Sequence, residues 1–388
     1  MNILFMRYNC ISEPGVLEAF QRLGVDVIED FSYLSGKESS RDEKIYRMVE
    51  TITLQKPMFV FSINFFPLVS KVCERLGVLY VALSVDCPVL ELYSVEIRNK
   101  CNRVFLFDYM QYLSVKDENP EGIFYLPLGG TAEAYDRLMG SYTGQKDFLY
   151  DVSFIGSLYS EKSPYESLPL SDYTRGWCDG LMDIQLQVPG MEILREGITE
   201  NIIREFKKAG AQYMDFPGMI SDMNAFVVLN EQLGYAITAR ERQMYLNALG
   251  EACDLHLFTG SDTGALKGVK VHGRVSSLKE MPQVFRQSRI NLNINMRPIQ
   301  TGLPQRIWDV LASGGFMLTS YEEELPEYFE IGKHLDAFEN AAEAKEKVRY
   351  YLAHEEKRME MTMAGYELVK EKHTVLHRVM QIIRTISS

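Results

Sequence analysis

The stretch Ile290–Tyr321, INLNINMRPIQTGLPQRIWDVLASGGFMLTSY, predicts a strand, a loop, a helix and a second strand in close succession. Its opening residues alternate apolar and polar as a β-strand does, and the polar, glycine-containing segment behind them is typical of a loop. A helix is predicted from Pro304, because proline suits the first helical turn and the apolar residues after it recur at helical spacing. Gly314 and Gly315 end that helix, and a buried strand resumes at Phe316.

This order of elements places the amino end of a helix at the carboxyl end of a strand. Unpaired backbone N–H groups and the helix dipole favour an anion there, and we expect a phosphate between Thr301 and Leu303. Arg306 and Asp309 follow one helical turn apart. A guanidinium can grip a diphosphate, and a carboxylate can accept from the hydroxyls of a ribose, so a nucleotide-linked ligand is predicted. The alternative for Arg306 is a buried ion pair with Asp309.

Length and charge limit the class of protein. A chain of 388 residues is suited to two domains, and a net charge of -12 argues against a nucleic-acid-coating protein. Neither a signal peptide nor an apolar run long enough to span a bilayer is apparent, so we expect a cytoplasmic protein. The six cysteines contain no C-x-x-C pair and the six histidines form no cluster, so neither a metal site nor a disulfide framework is expected.

Short β-like runs alternate with helical patterns along the chain, which predicts parallel doubly wound sheets. The first series is Ile3–Met6, Val25–Ile28, Met58–Ser62, Tyr80–Leu83, Val104–Phe107 and Ile123–Leu126. The second series is Tyr150–Ile155, Leu255–Phe258, Val269–His272, Ile290–Asn295, Phe316–Thr319 and His334–Phe338. No G-x-G-x-x-G follows the first run, so a dinucleotide fingerprint is absent.

A polar, glycine-containing segment, LMGSYTGQKDF, separates the two series and suggests a domain boundary. We therefore expect a first Rossmann-like domain over residues 1–145 and a second over 146–360, with a helical insertion at 160–250. The helices predicted over 361–388 are expected to cross back toward the first domain. They would connect the two domains and act as a hinge for the cleft between them.

Ligands of such sheets bind beyond the carboxyl ends of the strands. In the first domain these ends present Arg7, Tyr8, Asn64 and Asp86, which we assign to the acceptor side. Asp86 lies at a strand end shortly before a proline, where it could act as a general base or grip a hydroxyl. The alternative is an Asx-turn that starts the next helix.

The second domain presents glycine turns at its strand ends. Gly156 and Ser157 would let a ligand approach the backbone, and the backbone around Gly273 and Arg274 could pair with a base edge. Ordinary tight turns are the alternative at both places. Asn295 ends the strand that leads into the loop with Arg297 and Gly302, and Arg297 is a second candidate partner for the diphosphate.

Several segments resemble glycosyltransferases of the GT-B fold, in which two Rossmann-like domains face a cleft. The segment GLPQRIWDVLASGG is similar to their nucleotide-sugar helix, and Asp309 stands where that family has its ribose-binding acid. The segments SINFFPLVSKVCERLGVLYVALSVDCPVLELYS, YDVSFIGSLY and SRINLNINMRP resemble, more closely, the bacterial spore-maturation-type (CgeB-like) glycosyltransferases. The likeness covers most of the chain.

The resemblance implies transfer of a sugar from a nucleoside-diphosphate sugar such as a UDP-sugar to an acceptor hydroxyl of a glycan, protein or lipid, without a metal or other cofactor. It places the donor at Gly156, Ser157, Gly273, Arg274, Asn295, Arg297, Thr301, Gly302, Leu303, Arg306 and Asp309. Retaining members carry a glutamate where this chain has Thr301, which leaves the donor sugar and the stereochemical outcome open. A non-catalytic nucleotide-sugar sensor or partner protein and a nucleotide-sugar epimerase are the alternatives.

Overall fold

The computed structural model describes residues 1–31, 40–188, 193–211, 220 and 223–387. It contains two parallel sheets of six strands, which confirms the predicted two-domain α/β architecture. The first sheet has the order β2-β1-β3-β4-β5-β6 and the second β12-β11-β10-β7-β8-β9. The strands are β1 Asn2–Met6, β2 Asp26–Asp30, β3 Phe59–Ile63, β4 Leu79–Leu83, β5 Asn102–Leu106, β6 Ile123–Tyr125, β7 Tyr150–Ile155, β8 Leu255–Phe258, β9 Val269–Val271, β10 Ser288–Asn293, β11 Met317–Ser320 and β12 Asp336–Phe338.

Helices cover both faces of each sheet. In the first domain they are α1 Glu13–Arg22, α2 Arg41–Gln55, α3 Pro67–Leu76, α4 Tyr109–Val115 and α5 Ala132–Met139. The insertion contributes α6 Asp172–Gln187, α7 Ile193–Gly197, α8 Glu200–Lys208 and α9 Met223–Gly250, and the remainder is α10 Met281–Gln287, α11 Gln305–Ala312, α12 Leu325–Tyr328, α13 Ala341–Ala353, α14 Glu355–Lys372 and α15 Val375–Ser387. Strand β3, buried at every residue, shows why these strands are nearly continuous apolar runs.

The long helix α9 joins the two domains. It lies at the carboxyl end of the helical insertion expected at 160–250, and its residues contribute to more than one core. Leu246 and Leu249 pack on the second sheet, whereas Val227 lies in a core of the first domain. Helices α7 and α8 are separate, because Thr199 caps the amino end of α8 by accepting from the N–H of Ile202.

The carboxyl-terminal helices return to the first domain. Helix α14 packs against α11 and α5, and α15 packs against α1. Val379 and Ile382 of α15 are fully buried in the core that contains β1. Arg378 donates from Nε to the carbonyl of Leu128 (2.9 Å), which adds a polar tie between α15 and the end of the first domain.

The carboxyl ends of the two sheets meet through an apolar cluster shared by both domains. Cys87, Phe107 and Leu128 of the first domain pack with Leu303 and Ile307 of the second. Polar side chains border this cluster and form the candidate site described below. Among the described residues, no helix combines the length and apolar character needed to cross a bilayer.

Candidate active site

Three strand ends of the first sheet converge in one hydrogen-bonded group. Asn64 follows β3 and donates from Nδ2 to Oδ2 of Asp86 (2.7 Å) and to the hydroxyl of Tyr8 (3.0 Å). Its Oδ1 accepts from the N–H of Val85 (3.0 Å), which fixes the amide orientation. Asn64 has a left-handed backbone (φ 57°), a conformation that asparagine adopts more readily than most residues. The strand ends therefore hold Asp86 in a defined position.

The Asp86 carboxylate is exposed at this point, between the first domain and α9. Burial raises the pKa of Tyr8 and of Tyr235 well above the ordinary value, and the charge of Asp86 adds to both shifts. Both phenols therefore remain protonated at neutral pH and can donate hydrogen bonds. The Tyr235 hydroxyl donates to Glu231 (2.8 Å), so Asp86 lies near two protonated phenols and is open to a ligand.

The structure does not place the guanidinium of Arg7 in this group. Arg7 forms ion pairs with Glu13 (3.0 Å) and with Glu29 of β2. The same Glu13 accepts from the N–H of Tyr8 (2.7 Å). Arg7 thus supports the backbone beneath Tyr8, which corrects its expected acceptor-side position.

In the second domain, Arg306 and Asp309 lie on the first turns of α11 and are enclosed by protein while keeping some solvent access. The Arg306 guanidinium lies beside Sδ of Met281 and over the ring of Phe285 (5.2 Å). Asp309 accepts hydrogen bonds from Tyr135 (3.2 Å) and Gln305 (2.9 Å). The charge of Asp309 acts on Arg306 without a direct contact between the two side chains. The alternative of a buried ion pair between Arg306 and Asp309 is therefore wrong.

Burial shifts both groups toward their neutral forms. It lowers the pKa of Arg306 and raises that of Asp309, and each charge partly offsets the other's shift. Within the described part of the chain no carboxylate makes a close ion pair with Arg306. A guanidinium held among apolar groups without such a pair is suited to receive an anionic ligand.

Two tyrosines connect the two sides of the site. The rings of Tyr159, which follows β7, and Tyr235 of α9 are 5.3 Å apart. Tyr235 is within electrostatic reach of Asp86, and Tyr159 is within reach of Arg306. We call Asp86, Tyr235, Tyr159 and Arg306 the polar line: the two tyrosine rings are in contact, and a charged group of each domain acts on them from a longer distance.

The backbone N–H groups expected to bind phosphate are occupied by a side chain of the first domain. Oδ2 of Asp108 accepts from the N–H groups of Gln300 (2.9 Å), Thr301 (3.0 Å) and Gly302 (3.0 Å). Its Oδ1 accepts from the N–H of Gln111 (2.7 Å) and so caps α4. The predicted preference for an anion is present, but the protein supplies that anion itself. This corrects the assignment of these positions to the donor phosphate.

Close packing accounts for the residue types in this loop. A Cβ atom on Gly302 would lie 2.8 Å from Cα of Asp108, so only glycine allows this approach. Leu303 is buried, at 2% exposure, in the shared apolar cluster. The loop thus forms part of the contact between the two domains and does not line an open donor site.

Thr301 has a carboxylate partner from elsewhere in the chain. Its hydroxyl donates to Glu324 (2.7 Å), which also accepts from the N–H of Tyr109 (2.9 Å) and from Tyr125. Burial raises the pKa of Glu324, and these hydrogen bonds oppose the shift. Glu324 therefore places an acid beside the position where the resemblance implied a glutamate.

In the loop after β10, Arg297 is paired with an acid of α9. Arg297 forms a two-pronged ion pair with Glu241 of α9 (3.0 and 2.5 Å), and both residues line a cavity together with Asn295. Arg297 is therefore neutralised by Glu241 instead of being free for a diphosphate.

The glycine turns of the second domain differ in their surroundings. Ser157 donates to Glu161, which also accepts from Ser261 after β8 (2.9 Å), while Gly156 is partly accessible. Gly273 has a left-handed backbone (φ 69°) and open space around it. Arg274 packs over Gly260, where a Cβ atom would lie 2.1 Å from its Nε.

No group of three or more His, Cys, Asp or Glu side chains in the described ranges is placed to hold a metal ion. Positive charge is supplied by arginines. Arg242 donates to the carbonyls of Ser157 (2.6 Å) and Ile294 (2.6 Å), and burial lowers its pKa to about 10. Its guanidinium also lies over the ring of Tyr159 (4.8 Å), so it stabilises the same loop that faces Arg306.

Comparisons with known proteins agree with this geometry. Residues 240–384 match a family model described as glycosyl transferase-like. The structure of Anabaena HepE in complex with UDP and glucose is similar over 100% of this chain and 99% of its own, with 10% identity and a TM-score of 0.54. The T4 phage BGT complex with its UDP-glucose substrate is similar over 100% and 98%, with 11% identity and a TM-score of 0.50. A glycosyltransferase from Rickettsia africae is similar over 99% and 97%, with 9% identity and a TM-score of 0.50.

These findings show a two-domain fold shared with glycosyltransferase structures and a carboxyl-terminal segment similar to a glycosyl transferase-like family. A search of curated protein sequences finds no match. The matched segment contains Arg306 and Asp309 but begins after the first domain, so Asp86 and Asp108 lie outside it. For the first domain the similarity is one of fold.

Sequence reasoning missed Asp108, Tyr135 and Glu324. Asp108 follows β5 as closely as Asp86 follows β4, so the same search of strand ends would have found it. For Tyr135 and Glu324 no motif gives a signal, because their roles depend on contacts between distant parts of the chain.

Proposed function

We propose that the protein transfers a sugar from a UDP-sugar to an acceptor hydroxyl without a metal ion or other cofactor. The observation that carries this proposal is the polar line of Asp86, Tyr235, Tyr159 and Arg306, because it places a carboxylate of the first domain and a cation of the second domain at the two ends of one tyrosine pair. Structures of HepE with UDP and glucose and of T4 phage BGT with UDP-glucose support the choice of UDP. We further place the protein with the spore-maturation-type members, on the sequence segments that resemble them.

On the donor side, the charge that develops on the leaving diphosphate is stabilised by Arg306. This guanidinium is already desolvated and held on Phe285, so it needs little reorganisation during the reaction. Asp309 accepts from the ribose hydroxyls, and its position is fixed by Tyr135 and Gln305.

On the acceptor side, Asp86 removes the proton from the attacking hydroxyl. Asn64 holds one carboxylate oxygen of Asp86, and the other remains available to the acceptor. The Tyr8 hydroxyl, which accepts from Asn64, donates to the acceptor, and the Tyr235 hydroxyl, which donates to Glu231, accepts from a sugar hydroxyl. The apolar cluster around Leu303 and Phe107 keeps water from the region where the two domains meet, which limits hydrolysis of the donor.

Replacing Asp309 with alanine is expected to weaken UDP binding about 10- to 100-fold, because a hydrogen bond to a charged group contributes about 1.5–3 kcal/mol. The measurement is isothermal titration of the variant with UDP, with circular dichroism to confirm its fold. Glu327→Ala, an exposed acid on α12, is the matched control and should bind UDP as the natural chain does. Unchanged UDP affinity in a folded Asp309→Ala variant would remove Asp309 from the donor site.

Sugar transfer is expected to persist in excess EDTA, because arginine supplies the positive charge that a metal would otherwise provide. The measurement is UDP release from a UDP-sugar with an acceptor present, before and after dialysis against the chelator. Loss of turnover in EDTA, with recovery on adding Mg²⁺ or Mn²⁺, would contradict the proposed stabilisation of the leaving group.

A further inference from the structure

The cavity lined by Asn295, Arg297 and Glu241 has a volume of about 490 Å³ and lies behind the loop of residues 295–301. One side of this loop lines the cavity, and the other touches the first domain, where the carbonyl of Pro298 accepts from Sγ of Cys87 (3.5 Å), next to Asp86. Pro298 also packs on Gly234 of α9, where a Cβ atom would lie 2.8 Å from its Cγ. The loop and α9 thus separate this cavity from Asp86, and its volume is within the ~300–1,000 Å³ range of small-molecule sites.

A buried amide in this cavity lacks a hydrogen-bond acceptor. Asn295 is 7% exposed, and its Nδ2 makes no hydrogen bond. The side chain is fixed, because Oδ1 accepts from the N–H of Met296 (3.0 Å) and the N–H of Asn295 donates to Ser320 (3.1 Å). Nδ2 is therefore directed toward the carboxylate of Glu322, which it influences without the geometry of a normal hydrogen bond, and both residues line the cavity.

Glu322 places a carboxylate deep in the same cavity. It accepts one long hydrogen bond from Ser320 (3.4 Å), and the nearby cation Arg297 is already paired with Glu241. Burial raises the pKa of Glu322 well above its ordinary value, while Asn295 and the charge of Arg297 oppose the shift. The carboxylate can thus accept further hydrogen bonds.

These two groups together select the chemistry of the ligand. A hydroxyl group both donates and accepts, so hydroxyls can satisfy Glu322 and the Nδ2 of Asn295 at once. A cation would leave the amide unsatisfied, and an anion would be repelled by the exposed Glu323 and Glu339, which both line the cavity. A neutral molecule with several hydroxyls fits best.

The apolar wall of the cavity agrees with such a ligand. Tyr245 and Phe338 both line it, and their rings are 5.3 Å apart. Aromatic rings offer a surface for the C–H face of a sugar, while Glu322, Asn295 and Arg297 surround the hydroxyl edge.

We propose that this cavity binds a neutral saccharide that belongs to the acceptor. Binding of a saccharide here does not depend on the reaction, whereas its role as acceptor rests on the function proposed above. The cavity reaches Gln300 and Thr301, which lead directly into α11, so an occupant would contact the loop that precedes the donor-side helix.

The test is saturation-transfer NMR of a panel of neutral mono- and disaccharides with the full chain, with and without saturating UDP. At least one saccharide should bind in both conditions. Glu322→Gln should weaken its binding 10-fold or more and leave UDP affinity unchanged. Glu327→Gln, the same change at an exposed position, should behave as the natural chain does.

Absence of binding by every neutral saccharide, undiminished binding to Glu322→Gln, or displacement of the saccharide by UDP would overturn the proposal. The measurements with UDP distinguish this outcome from failure of the proposed transferase function. If the chain binds a saccharide but not UDP, only the transferase function is contradicted.

Stability of the variant provides a second readout. The folded state raises the pKa of Glu322, so this group favours folding below its ordinary value of 4.5, and that contribution is lost as pH rises through the folded value. Glutamine cannot ionise, so Glu322→Gln should have a higher Tm than the natural chain at neutral pH, and the difference should shrink toward pH 4.5. A lower Tm at neutral pH would show that the carboxylate is satisfied within the fold.

Discussion

Replacing Asp86 with asparagine is expected to reduce sugar transfer about 10²- to 10⁴-fold, the usual contribution of a positioned general base. Asparagine keeps the size of the side chain and its contact with Asn64 but cannot accept the proton of the acceptor hydroxyl. UDP affinity should remain unchanged, because UDP binds on the second domain. The measurement is the rate of UDP release with acceptor present, together with a UDP titration.

A matched control is available in the same domain. Asp117→Asn makes the same change at an exposed position after α4 and should retain full activity. Full turnover by Asp86→Asn would exclude Asp86 as the base. A loss of transfer accompanied by an equal loss of UDP affinity would instead indicate a structural role.

Replacing Asp108 with asparagine is expected to lower the Tm by on the order of 10 °C, because it weakens several charge-assisted hydrogen bonds of about 1.5–3 kcal/mol each. In proteins somewhat smaller than this one, a change of 1 kcal/mol shifts the Tm by about 2–4 °C. The carboxylate accepts from three N–H groups of the second domain and one of α4. An amide presents an NH₂ group to some of these donors and leaves them unsatisfied.

The measurement is differential scanning calorimetry of Asp108→Asn against Asp117→Asn, with added pyrophosphate as a further arm. If the N–H groups of Gln300 to Gly302 form a true anion site, pyrophosphate should raise the Tm of Asp108→Asn more than that of the natural chain. A Tm within 2 °C of the natural chain would show that the domains do not depend on this contact.

The strands were predictable because each is a local apolar run bounded by polar turns, as in the fully buried β3. The amino-terminal part of α9 was not. Val227 packs in a first-domain core and Val228 in the core of the insertion, so the apolar residues of this part do not follow one face. Periodicity fails where one helix contacts two domains.

The candidate site was predictable to the extent that it follows from strand ends. That rule identified Tyr8, Asn64 and Asp86, which the structure joins by hydrogen bonds. The strand-end rule could not predict which charged side chains pair with one another. The sequence around Arg297 does not indicate that Glu241 neutralises its charge. Likewise, the sequence around Gly302 does not indicate that Asp108 accepts from its N–H group. Such partners are decided by tertiary packing.

The central claim is that the crevice between the two sheets binds a nucleotide through Arg306 and Asp309. Isothermal titration of the intact chain with UDP, GDP and dTDP tests it most directly. We expect one UDP to bind per chain, more tightly than GDP or dTDP and equally well in EDTA. A folded protein that binds none of the three nucleotides would contradict the account.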